Sequence, residues 1–390
     1  MIVPTPFFSH RGTHIRILEE AIALENRGHS VTIATYHIGD DIHRYLKTTI
    51  DVRRIMRLLF WYTKKEAGPD WQKIILNLLL IRKSFFLART QKPDIIHAHL
   101  HEGVLIGWLI QKFLFWRKMK LVSDFHGSLV SEMVSHHYLK TGAVRALFTF
   151  SEKIINRMGD SAFASSPENA EFLALYRKET VRVIADGVNR NHYDNLPKKE
   201  DLRKKFGLPQ GKVVVVYSGA LMPDKGIVNL CSAIVIARDR NPMLHFFLAG
   251  FPKEHAQRLI SERHIEKVTT LLSPLNYFEL PVVNAAADIA VDPKDAQTLQ
   301  ASGKILQYMA AGLPIVCHDR PTNRNYIGDG AIYVAEVSGY LLAEGILAFA
   351  NNSEKRKQCG RNNYERVKMF SWEHTAEKIE EVYRSLGRYH

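Results

Sequence analysis

The residues best equipped for chemistry lie in the stretch 301–314, where Ser302, Gly303 and Lys304 lead into an apolar run that stops at Gly312-Leu313-Pro314. The spacing predicts a short helix whose first-turn N–H groups have no helical partner and can hold an anion. Gly303 would let that anion approach the backbone, and Lys304 adds a point charge. The same residues also fit an ordinary capped helix, with Ser302 as its N-cap and Gly312 just past its end. A second lysine, Lys225, falls in the loop after the apolar run 212–219, which closes on Gly219. Two lysines from separate loops on one rim suit a diphosphate.

Four histidines form a second group: His97, His99, His101 and His126. Ligands at alternating strand positions share a face, but no acidic or cysteine partner has helpful spacing, so catalysis or packing is expected here and metal is not. His126 follows the segment 121–125 and precedes Gly127, at the carboxyl end of an expected strand. A functional histidine would stand there, although a loop histidine bonded to backbone reads the same way.

These residues need elements to hold them. Ala287–Pro293 and Pro314–Asp319 read as buried strands on either side of the Lys304 helix, which makes a βαβ unit. In open α/β sheets ligands bind outside the carboxyl ends of the strands, where the loop after Asp292 would lie. Another βαβ unit opens the chain, from Ile2-Val3 through a helix containing Ile15, Leu18 and Ile22 to the strand 31–34. Gly12 sits in its first loop, where backbone turns tightly or meets a ligand. No GxGxxG fingerprint is present. With 390 residues two domains are expected. We expect a first domain over 1–190, a polar linker over 191–211, a second domain over 212–370, and a C-terminal helix over 371–390 that crosses back to the first.

A net charge of +13 calls for an acidic partner. No RNA- or DNA-binding module is recognisable, so nucleic acid is not expected. Between Asp41 and Thr90 there are eleven Lys/Arg against four acids. Within that region, 53–65 interleaves Arg53, Arg54, Arg57, Lys64 and Lys65 with Trp61 and its apolar neighbours, as does 113–120 further on. Such a segment can lie as an amphipathic helix in an anionic membrane interface; the alternative is a helix that packs inward with its cations in water. Three widely spaced cysteines suit a reducing compartment. The N-terminal apolar segment is short and broken by proline, and no window is long and charge-free enough to span a bilayer. A cytoplasmic protein, peripheral on the inner membrane face, is therefore expected.

The ordered motifs PDIIHAH, DFH, SSPENAEF, IADGVN, YSGALMPDKGIVNL, ADIAVDP, GKILQYMAAGLPIV and FSWEHTAEKIEEVY run over nearly the whole chain. Together they resemble the retaining GT-B glycosyltransferases of the group-one family, which use nucleotide-diphospho-sugars. The resemblance implies an α/β protein of two Rossmann-like domains, with parallel sheets facing a central cleft. The C-terminal domain would hold the donor, and the N-terminal one a glycan or lipid-linked acceptor. It implies that Gly12 borders the donor phosphates, that His126 stands near the reacting sugar, and that Lys225 and the Ser302–Lys304 turn grip the diphosphate. Gly219 and Gln307 fall in the same donor-binding motifs. No cofactor is implied beyond the nucleotide-sugar co-substrate. The chain departs from the family pattern at Ala220, where an arginine is usual, and at Leu299 and Gln307, where paired glutamates are usual. Those losses leave open a weakly catalytic scaffold subunit, or another nucleotide-sugar enzyme on the same fold.

Overall fold

The computed structural model describes the chain except residues 65–69, 136–137, 140–141, 295–301, 337 and 388–390. Lys65 and Leu299 therefore lie outside the described residues. The chain forms two compact units. Unit 1 comprises Met1–Asp186 and Trp372–His390; unit 2 comprises Gly187–Ala296 and Ser302–Ser371.

Unit 1 is built on seven strands, β1 (Ile2–Val3), β2 (Thr32–Thr35), β3 (Asp51–Arg54), β4 (Ile95–His99), β5 (Lys120–Phe125), β6 (Ser161–Ala164) and β7 (Arg182–Val183). Their order in the sheet is β3-β2-β1-β4-β5-β6-β7, and every pairing is parallel. The order reverses between β1 and β4, which makes the carboxyl ends of these two strands the natural ligand crevice. His97 and His99 share one face of β4, two residues apart, and their rings stack at 4.3 Å.

The last helix, Trp372–Ser385, belongs to this unit. Trp372, Ala376, Ile379 and Tyr383 recur at helical spacing and pack against Ala23, Leu24, Val122 and Phe163. Arg27 and His29 fasten it from the side, each 2.9 Å from a different oxygen of Glu380.

Unit 2 repeats the plan with β8 (Val213–Ala220), β9 (Leu244–Phe251), β10 (Thr269–Leu272), β11 (Ile289–Asp292), β12 (Ile315–His318) and β13 (Ala331–Val334), ordered β10-β9-β8-β11-β12-β13. The Val213–Val216 run makes β8 central, covered on both faces as a continuous apolar strand must be. The segment 191–211 carries the helix Lys199–Phe206 and lies in unit 2. There the buried Arg203 donates to the carbonyls of Ala286, Gln210 and Lys212 and to the Asp288 carboxylate.

The membrane helix expected over 53–65 does not form. Arg53 and Arg54 instead end the edge strand β3, where an open edge leaves charged side chains in water, and residues 55–64 beyond it form no helix. No helix among the described residues is long and apolar enough to cross a membrane.

Candidate active site

In unit 2 the chemistry gathers at the carboxyl ends of three neighbouring strands, β8, β11 and β12. Lys225 ends the short turn Pro223–Lys225 after β8, and its Nζ is 2.6 Å from Asp224 Oδ2. Lys304 opens the helix Lys304–Ala310. Its amine lies 3.6 Å from Asp292 Oδ1 and 4.2 Å above the centre of the Tyr217 ring, a cation–π contact that holds the charge at the strand ends. Gly219 makes room for it: its φ is +140°, and a Cβ there would sit 3.1 Å from Lys304 Nζ. Gly226, at φ +82°, lets the Lys225 loop touch the next loop, since a Cβ would lie 2.0 Å from the Pro293 carbonyl oxygen.

Two further cations escaped the sequence reading. Lys294, two residues past β11, and Arg320, two past β12, are both buried. Burial pushes the Lys294 amine down to about 7, and the charges of Lys225, Arg320 and Lys304 act in the same direction against Asp292. Among the described residues, four cations here face two carboxylates, Asp224 and Asp292. The balance of charge is positive, as a site that holds an anion requires.

Ser302, Gln307 and Ala220 are the remaining unit 2 positions. Ser302 is buried and makes no side-chain cap on the helix; Gly303 is the capping residue, in helical conformation. Gln307 is buried, and its Oε1 accepts from the Tyr193 hydroxyl at 2.8 Å. The carbonyl of Ala220 accepts from the Tyr217 hydroxyl at 2.6 Å.

In unit 1, His126 is buried just beyond β5, and its Nε2 is 3.0 Å from Asp124 Oδ2. His99 Nδ1 lies 3.0 Å from the same oxygen. Behind them Arg16, in the helix Gly12–Asn26, reaches Glu20 at 2.8 Å, Asp124 at 3.5 Å and Asp186. Burial would raise the Asp124 carboxyl, but His126 and Arg16 hold it well below the usual carboxylate range. Asp124 is thus an acceptor only, so both facing ring nitrogens carry their proton and donate to it. Burial pushes His99 down to about 4, which keeps that ring neutral. His97 continues the chain of contacts: its Nδ1 is 2.8 Å from the Tyr383 hydroxyl on the last helix.

Glu20, His97, His99 and Asp124 bring ligand-type atoms within 4.8 Å of one another. Arg16 already supplies the positive charge in that space, and a divalent ion beside its guanidinium would meet strong repulsion. Burial also raises the Glu20 carboxyl well above its ordinary value, toward its neutral form.

Gly12 is the first residue of its helix, and no protein atom lies within 4 Å of where a Cβ would stand. The basic residues nearby have local roles. Arg54 donates to the carbonyls of Phe7, Ile38 and Asp40 and so ties two loops together. Arg53 pairs with Asp51, Arg57 donates to the carbonyl of Phe60, and Lys64 is 3.8 Å from Asp70. Trp61 is exposed beside Phe60. Asp124 had a signal in the sequence, two residues before His126; Arg16 had only its i,i+4 pairing with Glu20.

Comparison with known proteins agrees with this architecture. Residues 198–366 match the family described as Glycosyl transferases group 1, and residues 10–192 match Glycosyltransferase Family 4. A D-inositol 3-phosphate glycosyltransferase of Corynebacterium glutamicum is 24% identical over 394 residues, covering 95% of this chain and 91% of that protein. Sucrose-phosphate synthase from Thermosynechococcus elongatus superposes with a TM-score of 0.80 at 18% identity, covering 99% of this chain and 98% of the other. HepE of Anabaena, solved with UDP and glucose, superposes with a TM-score of 0.76 at 17% identity, each chain 98% covered. Two parallel Rossmann-like sheets, likeness to GT-B structures and family matches over both halves lead to one conclusion: the chain belongs to the group-one glycosyltransferases.

Proposed function

We propose that the protein transfers a sugar from a nucleotide-diphospho-sugar to a glycan or lipid-linked acceptor, with retention of anomeric configuration and without a metal. The observation that carries this reading is the convergence of Lys225, Lys294, Lys304 and Arg320 on the carboxyl ends of β8, β11 and β12. Breaking a sugar–phosphate bond builds positive charge on the anomeric carbon and negative charge on the departing diphosphate. Fixed cations at that diphosphate stabilise the transition state more than the ground state. Each such contact is worth about 2–4 kcal/mol by analogy with oxyanion donors. They take the role that a metal ion would otherwise fill, and Lys294 and Arg320 offset the missing arginine at Ala220. HepE, solved with UDP and glucose on the same fold, supports a donor of this class. His126, held by Asp124, is the unit 1 residue that the family resemblance assigns to the reacting sugar.

A second reading has one specific observation in its favour. Gln307 stands where the family has a carboxylate, and its amide oxygen is committed to Tyr193. That fits a donor-binding subunit with weak catalysis of its own. The test is to incubate the protein with nucleotide-sugars and follow the anomeric proton by NMR. Release of the free sugar first as its α-anomer from an α-linked donor, with water as the acceptor, supports retaining transfer. Donor binding without any turnover favours the scaffold reading.

A further inference from the structure

The helix Ala143–Ile155 is folded inside out. A helix on a protein surface normally turns its apolar stripe inward. Here the residues buried on the inner side are Glu152, Ile155 and Asn156, whereas Val144, Leu147, Phe150 and Ile154 are 60, 62, 62 and 39% exposed. These four recur three or four residues apart and so form one continuous outward stripe. Arg145, Lys153 and Arg157 are exposed on the same segment, and its one acid, Glu152, is turned inward. An apolar stripe on a helix whose exposed charges are all cationic matches an anionic lipid surface in both hydrophobicity and charge.

The polar side of this helix is anchored close to the His126 strand end. Asn156 Oδ1 is 3.1 Å and Glu152 Oε1 3.6 Å from His101 Nε2, and the His101 ring packs on Phe125 at 5.0 Å. Phe125 directly precedes His126. A bilayer engaged by the outer stripe would therefore stand one helix away from the residue expected beside the reacting sugar.

We infer that the helix Ala143–Ile155 is a membrane-docking element that inserts Val144, Leu147, Phe150 and Ile154 among anionic lipids and brings a lipid-linked acceptor to the His126 side of unit 1. This deepens the proposed transfer reaction and rests on it for the identity of the cargo; the docking itself is testable without any activity.

The experiment is vesicle co-sedimentation of the full chain with phosphatidylcholine alone and with added phosphatidylglycerol, at low and high salt. Wild type is expected to bind the anionic vesicles at low salt. A Leu147→Glu/Phe150→Glu variant is expected to bind them at least tenfold more weakly. Phe60→Glu/Trp61→Glu, in the segment 53–65, should retain most of the binding. Equal binding by wild type and the helix variant overturns the inference, as does wild type that ignores every vesicle. A wild-type dimer by light scattering that the helix variant breaks also overturns it, in favour of a second copy of the chain as the occupant. Unchanged melting temperature and unchanged stabilisation by nucleotide in the helix variant show that its fold and donor site survive. Loss of nucleotide stabilisation in wild type would instead count against the transferase reading and leave the docking result standing.

Discussion

Asp124 Oδ2 accepts the hydrogen bond that His126 Nε2–H donates at 3.0 Å, and that single oxygen sets the tautomer of the histidine. With Nε2 engaged, Nδ1 is the ring's remaining acceptor whenever the ring is neutral. His99 fixes the carboxylate in turn, and Arg16 keeps it ionised. Asp124→Asn would remove the charge and keep the shape. Turnover should fall about 10- to 100-fold, as when partners that orient an active residue are lost, with nucleotide affinity unchanged. Steady-state kinetics beside calorimetric binding would check this, and equal losses in both would reduce Asp124 to a structural part.

Lys294 predicts a proton-linked donor affinity. In the free protein its amine sits at about 7, partly deprotonated near neutrality. A bound diphosphate favours the charged form, so binding takes up a proton. Affinity should be greatest below neutrality and weaken by up to about tenfold per pH unit above it. A nucleotide-sugar is the right probe, because its doubly esterified diphosphate does not titrate in this range. Calorimetry in buffers of different ionisation enthalpy would read the proton directly. Lys294→Met should abolish the uptake, and an unchanged uptake would assign it elsewhere.

Gly219→Ala should do two separable things. The residue has φ +140°, so an alanine there is strained by about 1–3 kcal/mol. Its Cβ also crowds the Lys304 amine. Melting temperature should fall, and nucleotide affinity should fall beyond the loss of stability. Combined with Lys304→Ala, the affinity losses should be less than additive, because both act on one amine.

Acid should loosen the last helix. Glu380 is held at about 2 chiefly by its hydrogen bond from Arg27, with His29 adding to it, against an ordinary value of 4.5. A depressed carboxyl stabilises the fold fully above its unfolded value and loses that contribution as pH falls through its folded one. The window is therefore between 4.5 and about 2. Allowing for water on its open side, the contribution is about 1–2 kcal/mol. Glu380→Gln should flatten the acid limb of a melting-temperature profile.

Much of this arrangement was readable from the chain. Val213–Val216 announced a buried parallel strand by composition alone, and Lys225 and Lys304 stood in loops that strand-and-helix patterning puts on one rim. Lys294 was not readable, because one lysine after Pro293 looks like any solvated loop cation; only the convergence of β8, β11 and β12 buries it. Arg53 and Arg54 misled because charged residues suit the solvent face of a helix and the open edge of a sheet equally, and only the pairing of β3 with β2 decides between them. The outward stripe of Ala143–Ile155 was hidden for the opposite reason. Its periodicity is that of any core helix, and which side meets the protein is set by His101 and Asn156 in three dimensions.

The central claim is that the cations of unit 2 hold the diphosphate of a nucleotide-sugar. A thermal-shift panel of nucleoside diphosphates and their sugars on wild type, Lys225→Ala and Lys304→Ala tests it most directly, because a ligand that binds only the folded state must raise its melting point. Stabilisation by one nucleotide family, reduced in each variant, is the expected result. A wild type that no nucleotide stabilises, or variants stabilised as fully as wild type, would contradict it.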